Sequence, residues 1–94
     1  MTITTTHVEE FKEDNRISHS SEDKKITRML EASYADIQSR CGAFDIDTNP
    51  LGKDLVFQQT RYRFNDMLEY FYDNFLSEIH SLGISLIDVP DEVV

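Results

Sequence analysis

From Lys53 to Leu82 the chain contains neither glycine nor proline, and this stretch limits the fold more than any other feature. Phe57, Phe64, Leu68, Phe71, Phe75, Ile79 and Leu82 recur along it at the three- and four-residue steps of an amphipathic helix. Leu55, Tyr62, Met67 and Tyr70 widen the stripe. One long helix and two collinear helices fit the pattern equally well. A break would fall near Asn65-Asp66, with Asp66 capping and Glu69 completing a capping box. Gly83 reads as the stop. An aromatic face this broad is expected to exceed what the rest of a small chain covers, leaving surface for a further protein chain.

The upstream chain reads as two shorter helices. Thr6 and Glu9 have capping-box spacing for a helix over His7 to Asp14, with Val8 and Phe11 on one side. Ser20 or Ser21 is the expected cap of the next helix, whose face is Ile26, Met29, Leu30, Ser33, Tyr34, Ile37 and Cys41. Gly42 supplies its left-handed stop. Ala43 to Gly52 reads as a loop. The expectation is one all-α domain over residues 1–94, with 1–5 and 84–94 as flexible tails and an extended C-terminal end.

Charge narrows the function classes. With 18 acids against 9 bases the net charge is -9, which repels nucleic-acid phosphates and anionic lipid headgroups. Every Lys and Arg lies at or before Arg63, and the acids Asp66, Glu69, Asp73, Glu78, Asp88, Asp91 and Glu92 follow. A chain with a basic band and an acidic end suits head-to-side pairing with its own copies. Cys41 is alone, so an internal disulfide is excluded. Met1 to His7 lacks a secretory pattern, and no apolar run approaches the ~20 residues of a membrane span, so a cytosolic origin without membrane association is expected.

No constellation carries chemistry. Asp45, Asp47 and Asn49 have calcium-loop spacing, but Pro50 stands where the loop needs glycine and Val56 where it needs a closing glutamate. His7, His19 and His80 are scattered, which argues against a metal centre. Cys41 on an apolar stripe reads as a structural thiol. Glu69 and Asp73, at i, i+4, have no partner base, and an acidic edge facing solvent or an interface is the reading. Arg61-Tyr62-Arg63-Phe64 looks like a base-stacking strip, yet Arg61 and Arg63 diverge on a helix by roughly 200°. Neither cofactor nor metal is expected. Arg61, Arg63, Glu69 and Asp73 are the candidate subunit contacts.

Val8-Glu9-Glu10-Phe11-Lys12, then Arg16-Ile17-Ser18-His19-Ser20-Ser21-Glu22-Asp23-Lys24-Lys25-Ile26, resembles the opening of tailed-bacteriophage head-tail connector proteins, also called head-completion or adaptor proteins. That opening is a short helix with a lysine, an Arg-Ile turn, an acidic cap and a helix that here reads Ile26-x-x-Met29-Leu30-Glu31-Ala32-Ser33. Arg61-Tyr62-Arg63-Phe64-Asn65-Asp66, Leu68-Glu69-Tyr70-Phe71 and Asn74-Phe75 resemble the family's aromatic-rich closing helix. The likeness runs from Val8 to Leu82. It implies a helical subunit of the virion, made in the host cytoplasm, whose copies form a ring under the portal protein. The ring extends the DNA channel and docks the next head-completion or tail protein, while DNA passes without specific binding. The segment after Gly83 is short beside some relatives. Portal contact is expected through Ile84, Leu86 and Val89 by strand addition. The rival expectation is a small acidic regulatory binder of the anti-repressor or antitoxin kind, clamping one target with the same aromatic surface.

Overall fold

The computed structural model describes residues 2–87, and among them every regular element is helical. Helices α1 (Thr5–Asp14), α2 (Asp23–Cys41) and α3 (Pro50–Phe64) are followed by a 3-10 turn over Leu68–Tyr70, then by α4 (Phe71–Asn74) and α5 (Leu76–Ser85). The all-α expectation holds at that level. The arrangement within it differs in five places.

Helix α1 starts two residues earlier than Thr6 predicts. Its N-cap is Thr4, whose backbone N–H donates to Nδ1 of His7 over 2.9 Å, so an imidazole does the work expected of a glutamate. Ile3 packs against the core. At α2 neither Ser20 nor Ser21 caps with its side chain. Glu22 occupies that position, and the serine contribution is the Ser20 carbonyl, which accepts from Asp23 N–H over 3.2 Å.

Helix α3 begins at Pro50, inside the expected loop. Proline suits the first helical position because it has no N–H to leave unpaired, and Asn49 Oδ1 accepts from Gly52 N–H over 2.9 Å. Gly52 therefore sits in the first turn. A Cβ there would stand 2.4 Å from the Phe44 ring, so the absent side chain is what admits the buried phenylalanine.

The break at Asn65-Asp66 is where the sequence places it, but its geometry is a reversal rather than a collinear joint. Asp66 takes φ +57°. Its N–H donates to Arg63 O over 3.1 Å and the Met67 N–H to Tyr62 O over 2.8 Å, the paired bonds of a left-handed helix end. Asp66 thus terminates α3 and caps nothing. Beyond it, Asn74 Nδ2 reaches the Tyr62 hydroxyl at 3.1 Å, which a straight helix would hold about 18 Å away. The chain folds back, and α5 packs on α2 and α3. Arg16 closes α1 in the same way, at φ +58°, with Ile17 N–H donating to Lys12 O over 2.8 Å.

Reversal explains why the aromatic row is covered by its own chain, contrary to the expectation that it is too wide. Phe71 is fully buried, stacked on Phe75 at 5.0 Å with Tyr62 edge-on to both rings at 5.7 and 5.8 Å. Phe11 of α1 lies edge-on to Phe57 and Phe64 at 6.2 and 6.1 Å. Of the row's rings only Tyr70 is exposed, at 55%. Burying one such phenylalanine is worth about 1.5–3 kcal/mol, ample reason for the chain to return on itself.

Gly83 does not end α5, which runs to Ser85. Its place in the helix lies against the backbone of Cys41, whose Cα would be 3.9 Å from a Cβ at that position. Gly42, by contrast, takes φ +116°, a conformation open only to glycine, and stops α2 as expected.

Candidate docking surface

Polar side chains that interrupt the helix faces meet in one network. Ser33 and Gln59 are both fully buried, on α2 and α3. Arg63 Nε donates to Ser33 Oγ over 3.1 Å, and its Nη2 to Gln59 Oε1 over 3.1 Å. Gln59 Nε2 in turn donates to Asp36 Oδ2 over 2.8 Å, which also accepts from the Tyr72 hydroxyl at 3.0 Å and Arg40 Nε at 3.0 Å. The Arg40 guanidinium lies over the Tyr72 ring at 4.1 Å. Sequence reading missed this set. Its signal was two polar residues, Ser33 and Gln59, embedded in apolar faces, beside the i, i+4 pairs Gln59–Arg63 and Asp36–Arg40.

The electrostatics make this network a clamp rather than a catalytic centre. Burial disfavours the Asp36 carboxylate, but hydrogen bonds from Gln59, Arg40 and Tyr72 and the Arg40 charge outweigh it and hold the group below the usual carboxylate range. Burial first, then the hydrogen bond to Asp36, raises the Tyr72 phenol. An acid held ionised beside a phenol held protonated has neither group poised to exchange a proton near neutrality. The clamp ties α4 to α2 and α3.

His7, the loop carboxylates, Tyr34 and Cys41 are similarly engaged. His7 Nδ1 accepts from Thr4, so Nε2 carries the proton and donates to Asp47 Oδ1 over 2.7 Å. Asp45 Oδ1 accepts from Asp47 N–H over 2.9 Å and Asn49 Oδ1 caps α3, so the oxygens with calcium-loop spacing are used in building the loop. The Tyr34 hydroxyl pins that loop, donating to Phe44 O over 2.7 Å and accepting from Ile46 N–H at 3.1 Å. Burial raises the Cys41 thiol, which donates to Ile79 O over 3.4 Å. No group of three His, Cys, Asp or Glu among the described residues is arranged to hold a metal. No helix among them is long and apolar enough to cross a membrane.

The four candidate contact residues do not share one face. Arg61 is exposed near the end of α3, with a 3.5 Å contact to Gln58 Oε1 as its one side-chain hydrogen bond among the described residues. Arg63 is half-buried and tied to Ser33 and Gln59, a positioned cation rather than a free one. Glu69 is exposed on the 3-10 turn and Asp73 on α4. Arg63 and Glu69 line one groove, of about 390 Å³, with Lys25, Arg28, Met29, Ala32, Asp66 and Leu68. Arg61 lines another with Arg16, Asp14 and Asp54.

The expected strand for portal contact is absent from the described residues. Ile84 is helical and 70% exposed, and Leu86 turns in against the core beside Gly42, because helical hydrogen bonding continues through Leu86 N–H to Leu82 O. Val89 lies outside the described residues.

Ion pairing is uneven. Lys12 is 2.9 Å from Asp23 Oδ1 (close, though off the hydrogen-bonding direction), Lys53 pairs with Glu10 at 3.0 Å and Arg40 with Asp36. Among the described residues Arg16, Lys24, Lys25, Arg28, Arg61 and Arg63 have no carboxylate partner. They come from the turn after α1, the first half of α2 and the end of α3. Lys25 stands 5.6 Å over the Phe64 ring, which brings the start of α2 to the end of α3.

No family model, no curated protein and no solved structure matches this chain.

Proposed function

We propose that the chain is a structural subunit that works by binding other protein chains, as a head-tail connector of a tailed bacteriophage. In this reading its copies form a ring under the portal, extend the DNA channel and dock the next head-completion or tail protein. The observation that carries the reading is the set of six cations without carboxylate partners among the described residues, in a chain of 18 acids and 9 bases. Charges of both signs left unpaired among the described residues are free to meet surfaces of opposite sign, which supports this reading. A repeated contact between basic and acidic faces is heterologous, the kind that closes into a ring. An acidic lumen would also let DNA slide without adhering. The sequence likeness from Val8 to Leu82 supplies the particle.

The same distribution assigns roles. Arg61 and Arg63 belong to the basic side of the contact, Glu69 and Asp73 to the acidic side, and Ile84 is the exposed apolar residue offered to the portal. The test is Arg61→Glu in the phage genome. Arg61 is exposed, so the protein should keep its far-ultraviolet circular dichroism while filled heads fail to acquire tails. Mutant phage produced at wild-type yield, or purified particles without the chain at the portal vertex, would overturn the assignment.

A further inference from the structure

We infer that the groove between α2 and the reversal after α3 takes the Ile87–Glu92 segment of a second copy of this chain. Lys25, Arg28 and Arg63 line the groove with Met29, Ala32 and Leu68, and Asp66 and Glu69 stand with them. None of the three cations has a carboxylate partner among the described residues, and Arg63 is fixed in place by Ser33 and Gln59. A ligand for such a surface needs carboxylates spaced by apolar groups. Ile87-Asp88-Val89-Pro90-Asp91-Glu92 has that composition, three acids interleaved with three apolar residues and no base. Ile87 leads into it 63% exposed, with no core to occupy.

Reach to Lys25, the groove cation farthest back along α2, favours a neighbour's segment over the chain's own. Ile87 lines a groove with Arg40 and Cys41, at the far end of α2. At a rise of ~1.5 Å per residue, Lys25 lies about 24 Å back along that helix. Asp91 extends at most about 14 Å from Ile87 even when fully stretched. Asp66 and Glu69 on the groove set the register: they repel a carboxylate from their side and leave Lys25 and Arg28 to receive it. A tail-to-groove contact of this kind uses different patches on the two partners, so it repeats from copy to copy. The inference rests on the subunit-to-subunit part of the proposed function and not on the particle.

The test is zero-length carbodiimide coupling on the full-length chain at high concentration, using an equal mixture of unlabelled and isotope-labelled protein. Peptide mapping should find Lys25 joined to Asp88, Asp91 or Glu92, with the mixed-isotope signature of an interchain amide. Arg28→Glu, an exposed substitution, should cut that product on the order of tenfold, the effect of turning one attractive contact repulsive. Adding Asp91→Arg to it should restore the product. Coupling found only within one chain would overturn the inference in favour of the chain's own segment. Interchain amides at other sites, or none, would overturn it outright. Either failure leaves the virion location to be decided by its own experiment, and absence from virions would leave the coupling result intact.

Discussion

The Tyr72 hydroxyl donates to Asp36 Oδ2 over 3.0 Å, joining residues 36 positions apart and fastening α4 to α2. Tyr72→Phe keeps the ring under the Arg40 guanidinium and removes only that donor. A hydrogen bond to a charged group contributes about 1.5–3 kcal/mol, less here because both residues are partly exposed, so a loss of about 1 kcal/mol is expected in urea unfolding. An unchanged midpoint would show that α4 is held by its rings alone.

Asp36 gives the acid limb of stability a definite sign. Its folded pKa lies below the unfolded one, so the unfolded chain binds the proton more readily. That contribution is fully present above the unfolded value, near pH 4, and disappears as pH falls through the folded value. Asp36→Asn should therefore destabilise by about 1–3 kcal/mol at neutral pH, with the gap from wild type narrowing below about pH 4. A constant gap at both pH values would mean that the charge is irrelevant.

Gly52 and Phe44 form a lock that one methyl group breaks. With the ring 2.4 Å from where a Cβ would stand, Gly52→Ala must move Phe44 or the first turn of α3. Overpacking of this kind costs about 1–3 kcal/mol. Phe44→Leu in the same chain should recover part of that loss, so the two substitutions should be non-additive in a double-mutant cycle.

Arg16 is the residue whose replacement should stabilise. Its left-handed conformation at φ +58° costs an ordinary L-residue about 1–2 kcal/mol, which glycine avoids. Part of the gain is offset by the greater freedom of glycine in the unfolded chain, about 0.4–1 kcal/mol. Arg16→Gly should raise the urea midpoint by the equivalent of about 0.5 kcal/mol. A lowered midpoint would mean that the arginine side chain contributes more than its backbone strain removes.

What the sequence made legible was what periodicity and chain-breaking residues encode. The α2 face, with Ile26, Leu30 and Ile37 fully buried, follows from three- and four-residue spacing, and Gly42 from its lack of a side chain. The location of the break at Asn65-Asp66 was legible too. Its direction was not, because a straight and a reversed chain carry the same three- and four-residue spacing. Only the left-handed turn at Asp66 separates them, and aspartate tolerates that turn without advertising it. The Thr4 cap was hidden because its partner is a histidine ring. Gly83 misled because glycine also serves where two helices come close.

Among the candidate contact residues, spacing showed that Arg61 and Arg63 diverge but could not show that Arg63 reaches inward. That depends on a buried serine 30 positions away. The Asp36 clamp joins three elements distant in sequence, and no local pattern reports such a meeting.

The turn at Asp66 has a consequence for assembly errors. A single backbone conformation decides whether α4 and α5 return to their own α2 or continue outward as an extension of α3. Asp66→Ala takes away the residue that accepts the left-handed state and favours continuation. A straightened chain would offer its α4–α5 arm to the vacated α2 of another copy. The result would be an exchanged dimer with the same core contacts, drawn from two molecules instead of one.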